Sequence, residues 1–212
     1  MLMLQQRQQI VDYGLKMIRS GLTTGSGGNL SILSAEDNLI AISPSGIDYH
    51  DVTVADVVVV DLSGKTVDGE RKPSSELGFH LALYAARAEI GAVVHTHSVY
   101  ATTLACLHWE LPAVHYLVAF SGDKVPLAPY ATFGTPELAD NIIKSIGSYN
   151  AVLLANHGLV AVATDMKNCF NVAEEIELVS RIYYQTKTVG QPVLVEDVEM
   201  QRVVDKFSHY GQ

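Results

Sequence analysis

The chain has 212 residues, 48% of them hydrophobic, with 14 basic and 23 acidic side chains and a formal net charge of −9. That length and apolar content suit one buried domain over residues 1–212 and exclude a disordered chain. The acidic balance, with no lysine- or arginine-rich run, argues against nucleic acid or an anionic membrane as partner.

Taken in chain order, Ile10, Val11, Leu15 and Ile18 recur at helical spacing over residues 8–20, and Gly21 is placed to end that helix. A loop of small residues follows, Thr24-Gly25-Ser26-Gly27-Gly28-Asn29. The runs Leu30–Leu33 and Leu39–Ser43 then read as a β-hairpin. Val57–Leu62 reads as a strand ending at the turn Ser63-Gly64-Lys65, and a helix is expected from about Ser74 to Ala86. An apolar strand runs into His95-Thr96-His97, with a helix over about Val99–Leu107 and a strand over Val114–Phe120. Pro136 starts a helix reaching Ile146, and strands over Val152–Ala155 and Leu159–Ala163 meet at His157. Asp165 caps a long helix, Met166–Val189. Strand pairs joined by tight turns require a largely antiparallel or mixed sheet, so the fold class is α/β with helices layered on that sheet.

Cys106 and Cys169 each lie in an apolar stretch and are expected to be buried free thiols, as in a reducing cytosol. The N-terminus lacks the pattern of a signal peptide, and the longest apolar stretch, Ala151–Ala163, is too short to span a bilayer. The expectation is a soluble, cytoplasmic protein.

Residues two apart on a strand share a face, so His95 and His97 can both reach one ion. His157, in the turn Asn156-His157-Gly158, adds a third imidazole if the fold brings it there. Three protein ligands with a position left open characterise a catalytic zinc rather than a structural one. Glu76 follows Pro73-Ser74-Ser75 at a helix start. Its ordinary reading is a first-turn glutamate favoured by the helix dipole. The glycine loop fits neither the P-loop nor the dinucleotide pattern, and by itself is an ordinary turn. Together with Ser43-Pro44-Ser45-Gly46 and Pro73-Ser74-Ser75, however, it makes three small polar loops able to cradle a phosphate. The remaining histidines, at 50, 80, 108, 115 and 209, have no ligand spacing and read as surface or satisfied core residues.

Gly27-Gly28-Asn29-Leu30-Ser31, Ser43-Pro44-Ser45-Gly46, Lys72-Pro73-Ser74-Ser75-Glu76, His95-Thr96-His97 and Asn156-His157-Gly158 resemble, in order, the signatures of the class II aldolase/adducin family. Val114-His115-Tyr116, Ala128-Pro129-Tyr130-Ala131-Thr132-Phe133-Gly134-Thr135 and Lys206-Phe207-Ser208-His209-Tyr210-Gly211 extend the match over essentially the whole chain. The resemblance implies a three-layer α/β/α domain around a mainly antiparallel sheet, assembled as a homotetramer with sites between subunits. It implies one Zn²⁺ per subunit on His95, His97 and His157, with Glu76 as the catalytic acid/base. Gly28, Asn29, Ser45, Gly46, Ser74 and Ser75 would bind a substrate phosphate. Tyr116 of a neighbouring subunit would protonate the leaving aldehyde oxygen, and Phe133, Phe207 and Tyr210 would line the aldehyde end. The implied activity is reversible cleavage of a ketose 1-phosphate, L-fuculose 1-phosphate in the best-matching branch, to dihydroxyacetone phosphate and L-lactaldehyde through an enediolate.

Within the family, a pentulose-phosphate 4-epimerase resembles a version with Asp at position 76, so Glu76 favours the aldolase. Methylthioribulose-phosphate aldolases or dehydratases and sugar-acid phosphate decarboxylases share the histidines. An adducin-like interaction domain would lack them. Ser45 stands where the family commonly has threonine, which bears on substrate detail. Lys72 alone among these motifs is a lysine, which disfavours a Schiff-base aldolase.

Overall fold

A computed structural model describes residues 1–207. Helix α1, Leu4–Arg19, starts four residues before its apolar spacing indicates, and closes as the sequence predicts: Gly21 N–H bonds to Ile18 C=O and Leu22 N–H to Met17 C=O, with Gly21 left-handed at φ +70°. That pair of bonds satisfies two of the carbonyls a helix end leaves open. Strands β1 (Asn29–Ser34) and β2 (Leu39–Ile42) form the expected hairpin, followed by β3 (Val58–Asp61) and a short β4 (Thr66–Asp68). Buried Arg7 ties α1 to this edge, bonding to the carbonyls of Leu2, Val54 and Val57 and pairing with Asp68 at 3.0 Å.

Helix α2 (Leu77–Ala86) starts three residues later than expected, with Glu76 as its N-cap. Pro73 and the two serines belong to a loop instead, held against the preceding polar loop by Ser45 N–H to Lys72 C=O and Ser74 N–H to Ser43 C=O. Then follow β5 (Ala92–Thr96), α3 (Val99–Cys106), a two-residue β6 (Leu127–Ala128), α4 (Pro136–Ile146), β7 (Ala151–Leu154), β8 (Gly158–Ala163), α5 (Met166–Val189) and α6 (Asp197–Phe207). Thr135 caps α4 through Leu138 N–H, and Asp165 caps α5 through Asn168 N–H. Ser98 makes no capping bond for α3; the Glu177 carboxylate on α5 accepts from Tyr100 and Ala101 N–H in its place.

Residues 114–120 are a correction. The expected strand is an irregular stretch followed by a 3₁₀ helix, Tyr116–Phe120. Its apolar run does not alternate, and His115 accepts from Leu117 N–H through its own side chain, which turns the chain while Val118 and Ala119 remain buried. Cys106 is a second correction: it is exposed, whereas Cys169 is buried, and both are free.

The eight strands form one sheet in the order β4-β3-β2-β1-β5-β8-β7-β6, antiparallel throughout except for β6 beside β7. One face packs on α1, α3, α5 and α6 through Ile10, Met17, Leu104, Phe170, Ile176 and Met200. The other packs on α2 and α4 through Phe79, Leu83, Leu138 and Ile142. The expected three layers are therefore present. Every residue of β5 is buried; Ala92 and Val94 face the first layer and Val93 the second. That alternation turns His95 towards α2, opposite Asn29 of β1 and Val160 of β8. No helix among the described residues is long and apolar enough to cross a membrane.

Candidate metal centre

Three loops meet where β1 begins and β5 ends. His95 is the penultimate residue of β5, His97 lies one residue beyond the strand, and His157 sits in the β7–β8 turn, made possible by Asn156 at φ +54°. Two glycines permit the approach. At Gly28, φ +69°, a Cβ would fall 2.5 Å from the His95 carbonyl oxygen, and at Gly158 one would fall 2.3 Å from that of Thr96. Neither position could carry a side chain without prising the histidine strand away.

The imidazoles converge. One ligand nitrogen from each of His95, His97 and His157 lies within 4.8 Å of the others, and His95 Nε2 is 3.1 Å from His97 Nε2. Two nitrogens bound to one tetrahedral zinc would be roughly 3.3 Å apart. His95 Nδ1 is 2.9 Å from the Leu159 carbonyl oxygen, which can only accept, so Nδ1 carries the proton and Nε2 keeps its lone pair for an ion. Burial first, then the charge of His95, pulls His97 and His157 down to about 4. Both rings are therefore neutral at pH 7, as ligation requires.

Glu76 completes the cluster. It is the N-cap residue of α2, yet its side chain makes no bond to the helix N-terminus and turns to the histidines instead. Oε2 accepts from Asn29 Nδ2 at 2.9 Å and lies 3.3 Å from His95 Nε2, while Oε1 lies 3.5 Å from His157 Nε2. Burial alone would raise this carboxyl. In acid, where these imidazoles take up protons, the charge and hydrogen bond of His95, the charge of His157 and the Asn29 amide outweigh it and hold Glu76 at about 2. Oε1 is buried with no hydrogen-bond partner. An orphaned carboxylate oxygen facing three converging imidazoles fits a divalent cation, and this donor set could hold one.

Beside these groups opens a cavity of about 360 Å³. Gly28, Asn29, Ser45, Gly46, Ser74 and Ser75, the residues named from sequence for a phosphate, line it together with Glu76, His97 and His157. Phe133, Tyr130, Ser26 and Asn156 line it as well. Among the described residues, no lysine or arginine lines it.

Two expected residues lie elsewhere. Tyr116 is 50% exposed on the 3₁₀ turn and Phe207 sits at the end of α6, their ring centroids 6.3 Å apart and neither lining this cavity. Tyr210 falls outside the described residues, as does His209.

Sequence reading also passed over a buried polar row behind Glu76. His80, Ser31 and Tyr84 stand in hydrogen-bond sequence from Asn29 into the protein. The signal was available: His80 is four residues after Glu76, on the same helical face.

The family model for the class II aldolase and adducin N-terminal domain matches residues 8–184. A 5-deoxy-D-ribulose 1-phosphate aldolase of Bacillus thuringiensis is 55% identical over 212 residues, covering all of both chains. An L-fuculose phosphate aldolase of Escherichia coli is 38% identical over 206 residues, covering 96% of this chain and 94% of that one. A solved structure of an L-fuculose 1-phosphate aldolase superposes with a TM-score of 0.95 at 46% identity, covering 96% of each chain.

Proposed function

The chain belongs to the class II aldolase and adducin family, and on that premise we propose that it reversibly cleaves a ketose 1-phosphate between C3 and C4, giving dihydroxyacetone phosphate and a short aldehyde. The observation that carries this reading is the buried Glu76 carboxylate, one oxygen unpartnered, set against His95, His97 and His157 beside a cavity lined by hydroxyls and backbone.

His95, His97 and His157 would hold one Zn²⁺ per chain, which when bound supplies a Lewis acid to stabilise negative charge beside the substrate carbonyl. Cleavage leaves that charge on C3. Glu76, ionised at neutral pH, takes the C3 proton of dihydroxyacetone phosphate in the condensing direction and returns it in cleavage. Asn29, Ser45, Gly46, Ser74 and Ser75 bind the phosphate dianion through hydroxyl, amide and N–H donors, since no lysine or arginine among the described residues lines the cavity. Anchoring the phosphate fixes which carbon stands opposite Glu76, so binding energy becomes orientation.

Beside its polar residues the cavity lining carries Tyr130, Ala131 and Phe133. It suits a sugar ending in a methyl group rather than a hydroxymethyl. Both 5-deoxyribulose 1-phosphate and L-fuculose 1-phosphate end so. The 55% identity over the full chain favours 5-deoxyribulose 1-phosphate, with acetaldehyde as second product. The 46% identical structure keeps L-fuculose 1-phosphate, with L-lactaldehyde, as the second reading. Exposed Tyr116, remote from its own cavity, would take the C4 hydroxyl proton in a neighbour's site during cleavage and return it to the aldehyde oxygen during condensation, with Phe207 and Tyr210 closing the aldehyde end. That arrangement requires an assembly, which we place as a homotetramer of single-domain chains in the cytoplasm, where sugar phosphates are retained.

The test is to measure kcat/KM for both phosphates by coupling dihydroxyacetone phosphate to its reduction. Turnover of 5-deoxyribulose 1-phosphate exceeding that of L-fuculose 1-phosphate is the expected result. The reverse order selects the second reading, and no dihydroxyacetone phosphate from either overturns both.

A further inference from the structure

Behind the cavity runs an unbroken buried chain of polar groups. Asn29 Nδ2 is 2.9 Å from Glu76 Oε2, and Asn29 Oδ1 is 2.5 Å from His80 Nε2. Ser31 Oγ is 2.7 Å from His80 Nδ1 and 2.7 Å from the Tyr84 hydroxyl. Asn29, Ser31, His80 and Tyr84 are all buried, from 0% to 6% exposed, so bulk solvent does not compete for the hydrogen bonds that link them.

The protons can be placed one after another. An ionised carboxylate only accepts, so the Asn29 amide must face Glu76 with its N–H₂. Its carbonyl then faces His80 and needs a donor, so His80 carries its proton on Nε2. Nδ1 is left with a lone pair, so the Ser31 hydroxyl donates to it. The Ser31 oxygen in turn accepts from Tyr84. One direction satisfies every link, from the Tyr84 hydroxyl to the Glu76 carboxylate. Reversing the Asn29 amide would point its carbonyl oxygen at Glu76 and leave two acceptors face to face.

We propose that His80 is a positioning residue for proton transfer: held as the Nε2–H tautomer, it locks the Asn29 carboxamide with its N–H₂ towards Glu76 and the cavity. This rests on the reading of Glu76 as the acid/base. A carboxamide passes no proton along, so the row orients Glu76 rather than conducting protons from it. Asn29 has a second N–H, and it lines the same cavity, so one locked amide serves both the carboxylate and the incoming anion. His80 reaches neither substrate nor ion and acts only through Asn29.

Neutron diffraction from deuterium-exchanged crystals of the zinc-loaded full chain reads the proton positions whatever the activity. The expected map has deuterium on His80 Nε2, none on Nδ1, and the Asn29 ND₂ on Glu76. Deuterium on Nδ1, or the Asn29 carbonyl facing Glu76, overturns the proposal. If the wild-type protein cleaves no ketose phosphate, the function reading fails while this map still decides the proton order.

A double-mutant cycle tests the consequence. His80→Phe preserves the stacking on Phe79, now at 4.5 Å between ring centroids, but donates nothing. It should lower kcat between about 10- and 100-fold, the cost of a displaced catalytic group, with bound metal unchanged. His80→Gln, which keeps a donor and an acceptor, should recover part of the loss. In an Asn29→Ala background His80→Phe should cost less than about twofold more, because the group it acts through is gone. Equal losses in both backgrounds overturn the proposal, for they would show a general structural role.

Discussion

Two cavities open at opposite ends of β7 and β8, and the larger is the less eventful. The cavity at the histidine end measures about 360 Å³, while the one lined by Asp123, Ser148, Tyr149, Asn168 and Gln201 measures about 900 Å³. In the large cavity several polar groups already have partners within the chain. The Tyr149 hydroxyl donates to Asp123 at 2.9 Å, the Asn150 amide donates to the Phe120 carbonyl, and Asn168 bonds to Asp165. None of the orphaned buried polar atoms among the described residues belongs to its lining. The small cavity has an orphaned carboxylate oxygen, and three imidazoles converge beside it. Chemistry collects where polar groups are left unsatisfied, not where there is most room.

The sharpest way to break this contrast is to remove a ligand. His157→Ala should abolish stoichiometric metal binding and lower kcat/KM by about 10³-fold or more, since the ion is asked for several kcal/mol of charge stabilisation. Elemental analysis beside the rate assay checks both, and near-normal turnover without metal would contradict it. Next in size is Glu76→Gln, which should keep fold and metal yet lose about 10²- to 10⁴-fold in kcat, the range for a positioned acid/base. Near-normal kcat with full metal occupancy would return Glu76 to an ordinary helix-start residue.

Tyr116 extends the contrast across chains. Glu76→Gln and Tyr116→Ala should each be weak alone. Co-refolded in equal amounts, they should recover activity towards about a quarter of wild type, because that share of interfaces pairs two intact groups in a randomly mixed ring. Activity no higher than the average of the two parents would place both groups in one subunit or remove Tyr116 from catalysis.

The smaller effects concern stability. Burial lowers His80 to about 3 from an unfolded value of 6.5. Its contribution is therefore complete above pH 6.5 and is lost as pH falls towards about 3, as the unfolded chain binds the proton first. Urea titrations of wild type and His80→Phe across that window should differ in slope by up to about 1.4 kcal/mol per pH unit, one proton's worth. Identical slopes would show that His80 titrates normally. In the large cavity, Tyr149→Phe should cost about 1 kcal/mol or less for its exposed hydrogen bond and leave kcat/KM within about twofold.

Much of the site was legible because its residues are local in sequence. His95 and His97 flank one residue, Ser74, Ser75 and Glu76 are consecutive, and each short motif names its own loop. The hairpin, the cap Asp165, the helix start at Pro136 and the Gly21 helix stop are likewise local signals. What sequence could not supply was pairing at a distance. That Asn29 stands opposite His95, and that His80 reaches across to Ser31, follow from strand register and helix packing rather than from spacing. The short strands β4 and β6 lack enough residues to show a period, and the apolar run before Phe120 fits strand and 3₁₀ turn equally until His115 is seen to cap it. Phe207 and Tyr116 matched the family pattern, but in this chain neither lines the cavity.

The central claim is that His95, His97 and His157 hold an ion on which C3–C4 cleavage depends. The direct test strips the protein with a chelator, measures metal by elemental analysis and dihydroxyacetone phosphate release from 5-deoxyribulose 1-phosphate and L-fuculose 1-phosphate, then restores Zn²⁺ stepwise. The account predicts that activity vanishes with the metal and returns in proportion to occupancy, saturating near one ion per chain. Full activity from metal-free protein, or a lysine adduct trapped by borohydride, would contradict it.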